Sequence, residues 1–172
     1  QPVYEERSGG WAAVRPLRNG YRLPTEAEWE WAARFAGQSS ALLYPWGEVL
    51  PPPDRSGNYA DVKAASLLPT TLVTYDDGYA VSAPVGSYGP NAFGIYDLGG
   101  NVAEWVQDVY VADAVEATER VDDPLGPESG RLHVVRGASW RSATVADLRL
   151  AARGSGFEPR PDLGFRIARN LQ

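Results

Sequence analysis

Few residues in this chain have the types and spacings that covalent chemistry needs. There is no Cys among its 172 residues, so it has no thiol nucleophile, no disulfide and no thiolate metal site. The only His is His133, beside Val134-Val135, where a lone imidazole is more often a packed or surface residue than a base. With one His, an iron centre built on two His and a carboxylate is excluded. Gly137-Ala138-Ser139-Trp140-Arg141 sets a Ser two residues after a Gly but lacks the second Gly of a nucleophile elbow. Twenty-two Asp and Glu could supply a carboxylate pair, yet no spacing singles one out.

Composition narrows the field further. The net charge is −6 and Lys63 is the sole Lys, which argues against a nucleic-acid-binding face. No apolar run approaches the roughly 20 residues of a membrane helix. The absence of Cys does not settle the compartment. The chain begins at Gln1 and contains no Met, which reads as a trimmed piece of something longer. Eighteen Gly and 14 Pro point to short elements joined by long ordered loops, with six Trp and nine Tyr as anchors.

The elements that must position any site follow from local patterns. Thr25 and Glu28 form a capping box, and Trp29, Ala32, Ala33 and Ala36 recur at helical spacing before Gly37. This predicts a helix of about three turns with one apolar face. From Leu43 to Ser87 periodicity is lost, and such a stretch needs something to hold it. Aromatic packing by Tyr44, Trp46, Tyr59 and Tyr79, or bound ions, would serve. Val134-Val135 predicts a strand, and Asp147 to Arg153 reads as either a strand or a short helix. Leu163, Phe165 and Ile167 alternate with Gly164, Arg166 and Ala168, the pattern of a half-buried strand. Residues 1–172 read as one α+β domain.

Four segments then carry a resemblance. They are Gly20-Tyr21-Arg22-Leu23-Pro24-Thr25-Glu26-Ala27-Glu28-Trp29-Glu30; Tyr44-Pro45-Trp46-Gly47; Ala83-Pro84-Val85-Gly86 through Asn101-Val102-Ala103-Glu104-Trp105; and Arg136-Gly137-Ala138-Ser139-Trp140 with Leu163-Gly164-Phe165-Arg166. In this order they resemble the sulfatase-modifying-factor family, which includes formylglycine-generating enzymes. The resemblance implies a C-type lectin-like α+β fold, loop-rich with little regular structure. Family members carry a further strand and helix before the segment matching Gly20, where this chain has 19 residues. An N-terminal segment or a partner chain is therefore expected to complete the fold. Without it, the Leu163–Ile167 edge and much of the Trp29 face would lack a partner.

The resemblance also implies structural calcium, one or two ions. Asn58 and Asp77 would offer side-chain oxygens and Tyr59 and Tyr79 their carbonyls; a second set is Asp97, Gly100, Val102 and Glu104. Hard cations take six to eight such oxygens. The blander reading is that Asn58 and Asp77 cap turns. Active family members bind copper through two Cys after the segment matching Arg136–Trp140. Here Ser142 stands at the first position and no Cys follows, which removes copper and that oxidation.

Recognition remains, on a groove comprising Trp140, Arg141, Ser142, Thr144, Asp147, Arg149, Arg153, Phe157 and Arg160, with a peptide or protein as ligand. Trp140 and Arg153 also suit a purely structural role, and Arg166 is expected to pair with a carboxylate. The leading expectation is a non-catalytic sensor or adaptor domain inside a larger bacterial protein. A cysteine-independent enzyme acting on a peptide or peptide natural product is one alternative. A variable receptor of a diversity-generating retroelement is another, although no Asn lies between Arg136 and Arg169.

Overall fold

The computed structural model describes residues 2–7, 10–112 and 122–170. Two short strands, β1 (Tyr4–Arg7) and β2 (Gly10–Ala13), pair antiparallel with Tyr4 opposite Ala13. The predicted helix follows as α1 (Glu26–Arg34). Its capping box closes as expected: Glu28 N donates to Thr25 Oγ1 at 3.1 Å, and Thr25 N donates to Glu28 Oε2 at 2.8 Å. Both groups satisfy orphan donors of the first turn. The helix ends at Phe35, and Gly37 turns the chain with φ +67°.

Four strands make the main sheet: β3 (Ala103–Val109), β4 (His133–Arg136), β5 (Arg153–Gly156) and β6 (Leu163–Phe165). Their order is β5-β4-β3-β6, with β3 and β6 parallel and the other pairs antiparallel. The stretch Asp147 to Arg153 is neither one strand nor one helix: Asp147 and Leu148 close a one-turn helix, α2 (Val145–Leu148), capped by Thr144, a turn follows, and Arg153 opens β5. Side chains alternate along β3, so Glu104, Val106 and Asp108 are buried while Trp105 and Gln107 are half-buried on the opposite face.

Helix α1 covers the first of these faces. Trp29, 1% exposed, is buried with Ala33, Leu98, Val106, Val134 and Leu150. This corrects the expectation that the Trp29 face would need an outside partner. Gly137 makes the close approach possible: it sits at φ +80°, and a Cβ there would lie 3.1 Å from the Trp29 ring. A second cluster, Tyr44, Tyr59, Tyr75, Ala138 and Leu148, holds the long irregular region, with Trp46 stacked on Tyr44 at 5.0 Å. Tyr75 takes the place expected of Tyr79, which is 37% exposed.

The other sheet face is only partly covered. An apolar groove of about 760 Å³ runs over it, lined by Trp105, His133, Phe157, Phe165 and Ile167 and by Tyr4, Trp11 and Tyr21. Phe165 of β6 and Ile167 just beyond it are 67% and 63% exposed and point into this groove, not into the core. One stretch of the β6 segment is tied down, since Arg22 and Ala168 exchange backbone hydrogen bonds of 3.0 and 2.7 Å. Among the described residues no helix is long and apolar enough to cross a membrane.

Candidate functional site

A cavity of about 180 Å³ opens where β4 leaves the sheet and the chain turns through Ser139–Ser142 towards α2. Its polar lining comprises Ser139, Ser142, Asp147, Arg153, Arg160 and Asp162, above a floor of Ala103, Val135 and Gly154. Four of the nine groove residues expected from the sequence, Ser142, Asp147, Arg153 and Arg160, thus meet around one space. The turn is built by short local bonds: Ser142 N donates to Ser139 O, and Ser139 N donates to Ser142 Oγ at 3.1 Å.

The other five are placed differently. Trp140 is buried, and its indole N–H lies 3.5 Å from Pro161 O, which fits the structural reading. Arg141 lies over the Trp140 ring at 5.5 Å. Thr144 caps α2 and donates to Asp147 Oδ2 at 2.6 Å. Arg149 is exposed at the end of α2. Phe157 lines the apolar groove instead, with the Arg131 guanidinium 4.4 Å from its ring centre. Arg153 serves both roles, since its Nε donates to Glu26 Oε1 at 2.8 Å and its Nη1 to Val111 O.

The groove expected from the sequence left out Ser139, weighed there only as a nucleophile, and Asp162. Both are buried, and Ser139 Oγ donates to Asp162 Oδ2 at 3.2 Å, while Arg160 Nε donates to Asp162 Oδ1 at 3.3 Å. Parallel pairing of β3 and β6 fixes this wall, through Ala103 N donating to Asp162 O at 2.9 Å. The adjacency of Asp162 to the Leu163-Gly164-Phe165-Arg166 segment was the available signal.

The two expected cation constellations fare unequally. Asp77 is buried; Tyr59 N and Tyr79 N each donate to one of its carboxylate oxygens, at 2.9 and 3.0 Å. Burial pushes its pKa up to about 6, with the charges of Asp61 and Asp76 adding to the rise. Asp61, fully buried, accepts the Asp77 N–H on Oδ2 at 2.6 Å. The Asp61 carboxylate thus meets the Asp77 backbone, near enough for its charge to act on the Asp77 carboxylate, and among the described residues neither has an Arg or Lys partner. Their four oxygens already accept five backbone N–H groups, as turn caps do, so a cation would have about three of eight acceptor positions left to it. The structure puts Asp61 beside Asp77, whereas Asn58 is tied to the Val81 carbonyl at 2.8 Å and to Asn101, with its Oδ1 left unpartnered.

In the second set, Asp97 has φ +59°, takes Gly86 N on Oδ2 at 2.8 Å, and buries Oδ1 without a partner. Gly100 packs against the Tyr59 ring and Val102 against Gly164. Glu104 does not fit as a metal ligand. Arg166 donates Nε and Nη2 to its two oxygens, each at 2.6 Å, and Trp29 Nε1 adds a third bond at 2.7 Å. Its charge is already matched, and three of roughly four acceptor positions are filled. Among the described residues no group of three or more His, Asp or Glu forms a metal cage, so any ion would draw on carbonyls and water as well.

A small mixed sheet with one covering helix and long anchored loops is the C-type lectin-like fold in its formylglycine-generating-enzyme form. The family model described as sulfatase-modifying factor enzyme 1-like domain matches residues 5–171. The chain belongs to this family. It is 41% identical over 158 residues to a formylglycine-generating enzyme of Thermomonospora curvata, covering 87% of this chain and 49% of that one. It is 39% identical over 155 residues to the serine/threonine-protein kinase pkn1 of Chlamydia pneumoniae, covering 88% of this chain and 21% of the kinase. Among solved structures, Treponema denticola variable protein 1 superposes with TM-score 0.62 and 30% identity, over 92% of this chain and 50% of that one. The chain thus spans about half the length, or less, of the relatives it matches.

Proposed function

We propose that this chain is a non-catalytic ligand-binding domain, with the Ser142 cavity as its recognition site and a peptide or protein as ligand. The observation that carries the reading is the lining itself: hydroxyl, carboxylate and guanidinium groups meet where the family resemblance implies a pair of thiols. A hydroxyl is far too weak an acid, and too hard a ligand, to do the work of a thiolate. The match to about a fifth of a kinase chain supports a module serving a larger protein. The likeness to a variable protein favours a second reading, a diversified receptor on the same scaffold. Closely related copies differing mainly at Arg141, Ser142, Thr144 and Arg149 would distinguish the two.

Calcium at Asp61 and Asp77 would brace the loop carrying Tyr59, which shares a core cluster with Ala138 and Leu148, the chain neighbours of the cavity residues Ser139 and Asp147. The apolar groove suits a further polypeptide, supplied by the same gene product or by a partner, that lies over β6 and the exposed aromatics. Binding is tested by selecting from a random peptide library on the immobilised chain in calcium. Enriched peptides should be retained by the wild type and lost by Ser142→Trp, which fills the cavity. Failure to enrich any peptide, or equal retention by the variant, would overturn the reading.

A further inference from the structure

We infer that the Ser142 cavity takes a small pair of opposite charges, supplied by a free amino acid or by the ends of two neighbouring side chains; this rests on the ligand-binding reading above. The inference comes from which polar groups in the lining still have bonding capacity. Asp162, 8% exposed, holds Arg160 by Nε alone at 3.3 Å and is itself fixed by the Ser139 hydroxyl. The two terminal nitrogens of Arg160 are left without a partner among the described residues, on a side chain 44% exposed. A guanidinium held this way offers a preoriented fork to a carboxylate.

Asp147 supplies the opposite sign. Its Oδ2 is engaged by the Thr144 hydroxyl at 2.6 Å, and Oδ1 has no partner among the described residues. Ser142 Oγ already accepts the Ser139 N–H, so its own proton is available to an oxygen of the ligand. Arg153, by contrast, is committed to Glu26 and the Val111 carbonyl. The lining holds two Arg and two Asp, so a purely anionic group would gain from Arg160 and be repelled by Asp147 and Asp162. A purely cationic group meets the reverse. Only a group with both charges uses both free ends. Size sets the other limit: 180 Å³ lies below the range of about 300–1,000 Å³ of drug-sized pockets.

The same chemistry could come from a free amino acid or from neighbouring acidic and basic side chains in a peptide. Four probes separate these cases by calorimetric or NMR titration: alanine, N-acetylalanine, alaninamide, and the dipeptide Glu-Lys blocked at both ends. Alanine, the blocked dipeptide, or both should bind at least about tenfold more tightly than the two singly charged probes, one charged hydrogen bond being worth that much. Whichever of the two binds identifies the source. Arg160→Gln should reduce binding to the level of alaninamide on the wild type, and Asp147→Asn to that of N-acetylalanine. Both side chains are exposed, so melting of these variants should match the wild type. If a singly charged probe binds as tightly as the doubly charged ones, or no probe binds, the inference is overturned. Loss of Ser142→Trp-sensitive peptide retention is a separate outcome and bears on the underlying reading alone.

Discussion

Replacing Arg166 with Met would strand the Glu104 carboxylate. In the native protein that carboxylate is 5% exposed and takes two bonds of 2.6 Å from Arg166 and one of 2.7 Å from Trp29. The substitution leaves one neutral donor for a buried charge. Removing one partner of a buried pair costs about 3–5 kcal/mol, and the 24% exposure of the Arg166 side chain puts this case near 3. At about 2–4 °C per kcal/mol for a domain of this size, melting should fall by roughly 6–12 °C. Adding Glu104→Gln should restore a good part of the loss, because the amide carbonyl still accepts from Trp29 and no charge is left buried. The assay is thermal and urea denaturation of wild type, both singles and the double. A single variant within about 1 °C of wild type, or a double variant no better than Arg166→Met, would refute the reasoning. The pair also pins β6 to β3, and so carries the Asp162 wall of the cavity.

Other expectations follow from the same geometry. Without an ion, the raised Asp77 pKa means the folded state holds a proton that the unfolded state has lost, so this group lowers stability as pH rises from about 4 through about 6. Calcium should reverse that, raising the melting temperature at pH 7, much less at pH 5, and not at all in Asp61→Asn; a shift that is absent or independent of pH counts against the site. The chain expressed alone should bind a hydrophobic dye and elute above its 18.7 kDa monomer mass, with Phe165→Ser and Trp11→Ser reducing both. A dye-silent monomer would show that the groove needs no cover. Thr25→Ala should cost about 1 kcal/mol by opening the capping box, read as a drop of a few degrees in melting.

What was legible in the sequence was local. The α1 start is written in Thr25 and Glu28, three residues apart, and the structure closes both bonds. The long anchored loops follow from Gly, Pro and aromatic content. The misses share a cause: a polar residue whose partner lies far along the chain. Strand β3 reads Ala-Glu-Trp-Val-Gln-Asp-Val, with charged residues at its inward positions, so it lacks the apolar-in pattern of a strand. Its inward face works because Arg166 and Trp29 meet Glu104, and Glu26 N donates to Asp108 at 2.6 Å. In the sequence an Asp before Val62–Ala64 has the look of a cap, which it is; Lys63 N and Ala64 N both donate to Oδ1. Only folding brings its other oxygen to Asp77. The segment of β6 shows the converse, with an apolar alternation whose Phe165 and Ile167 point away from the core. The sheet therefore carries charged pairs on the face that α1 seals and aromatics on the face left open. A period-two pattern identifies a strand but not which face is covered, and here the covered face is the more polar one.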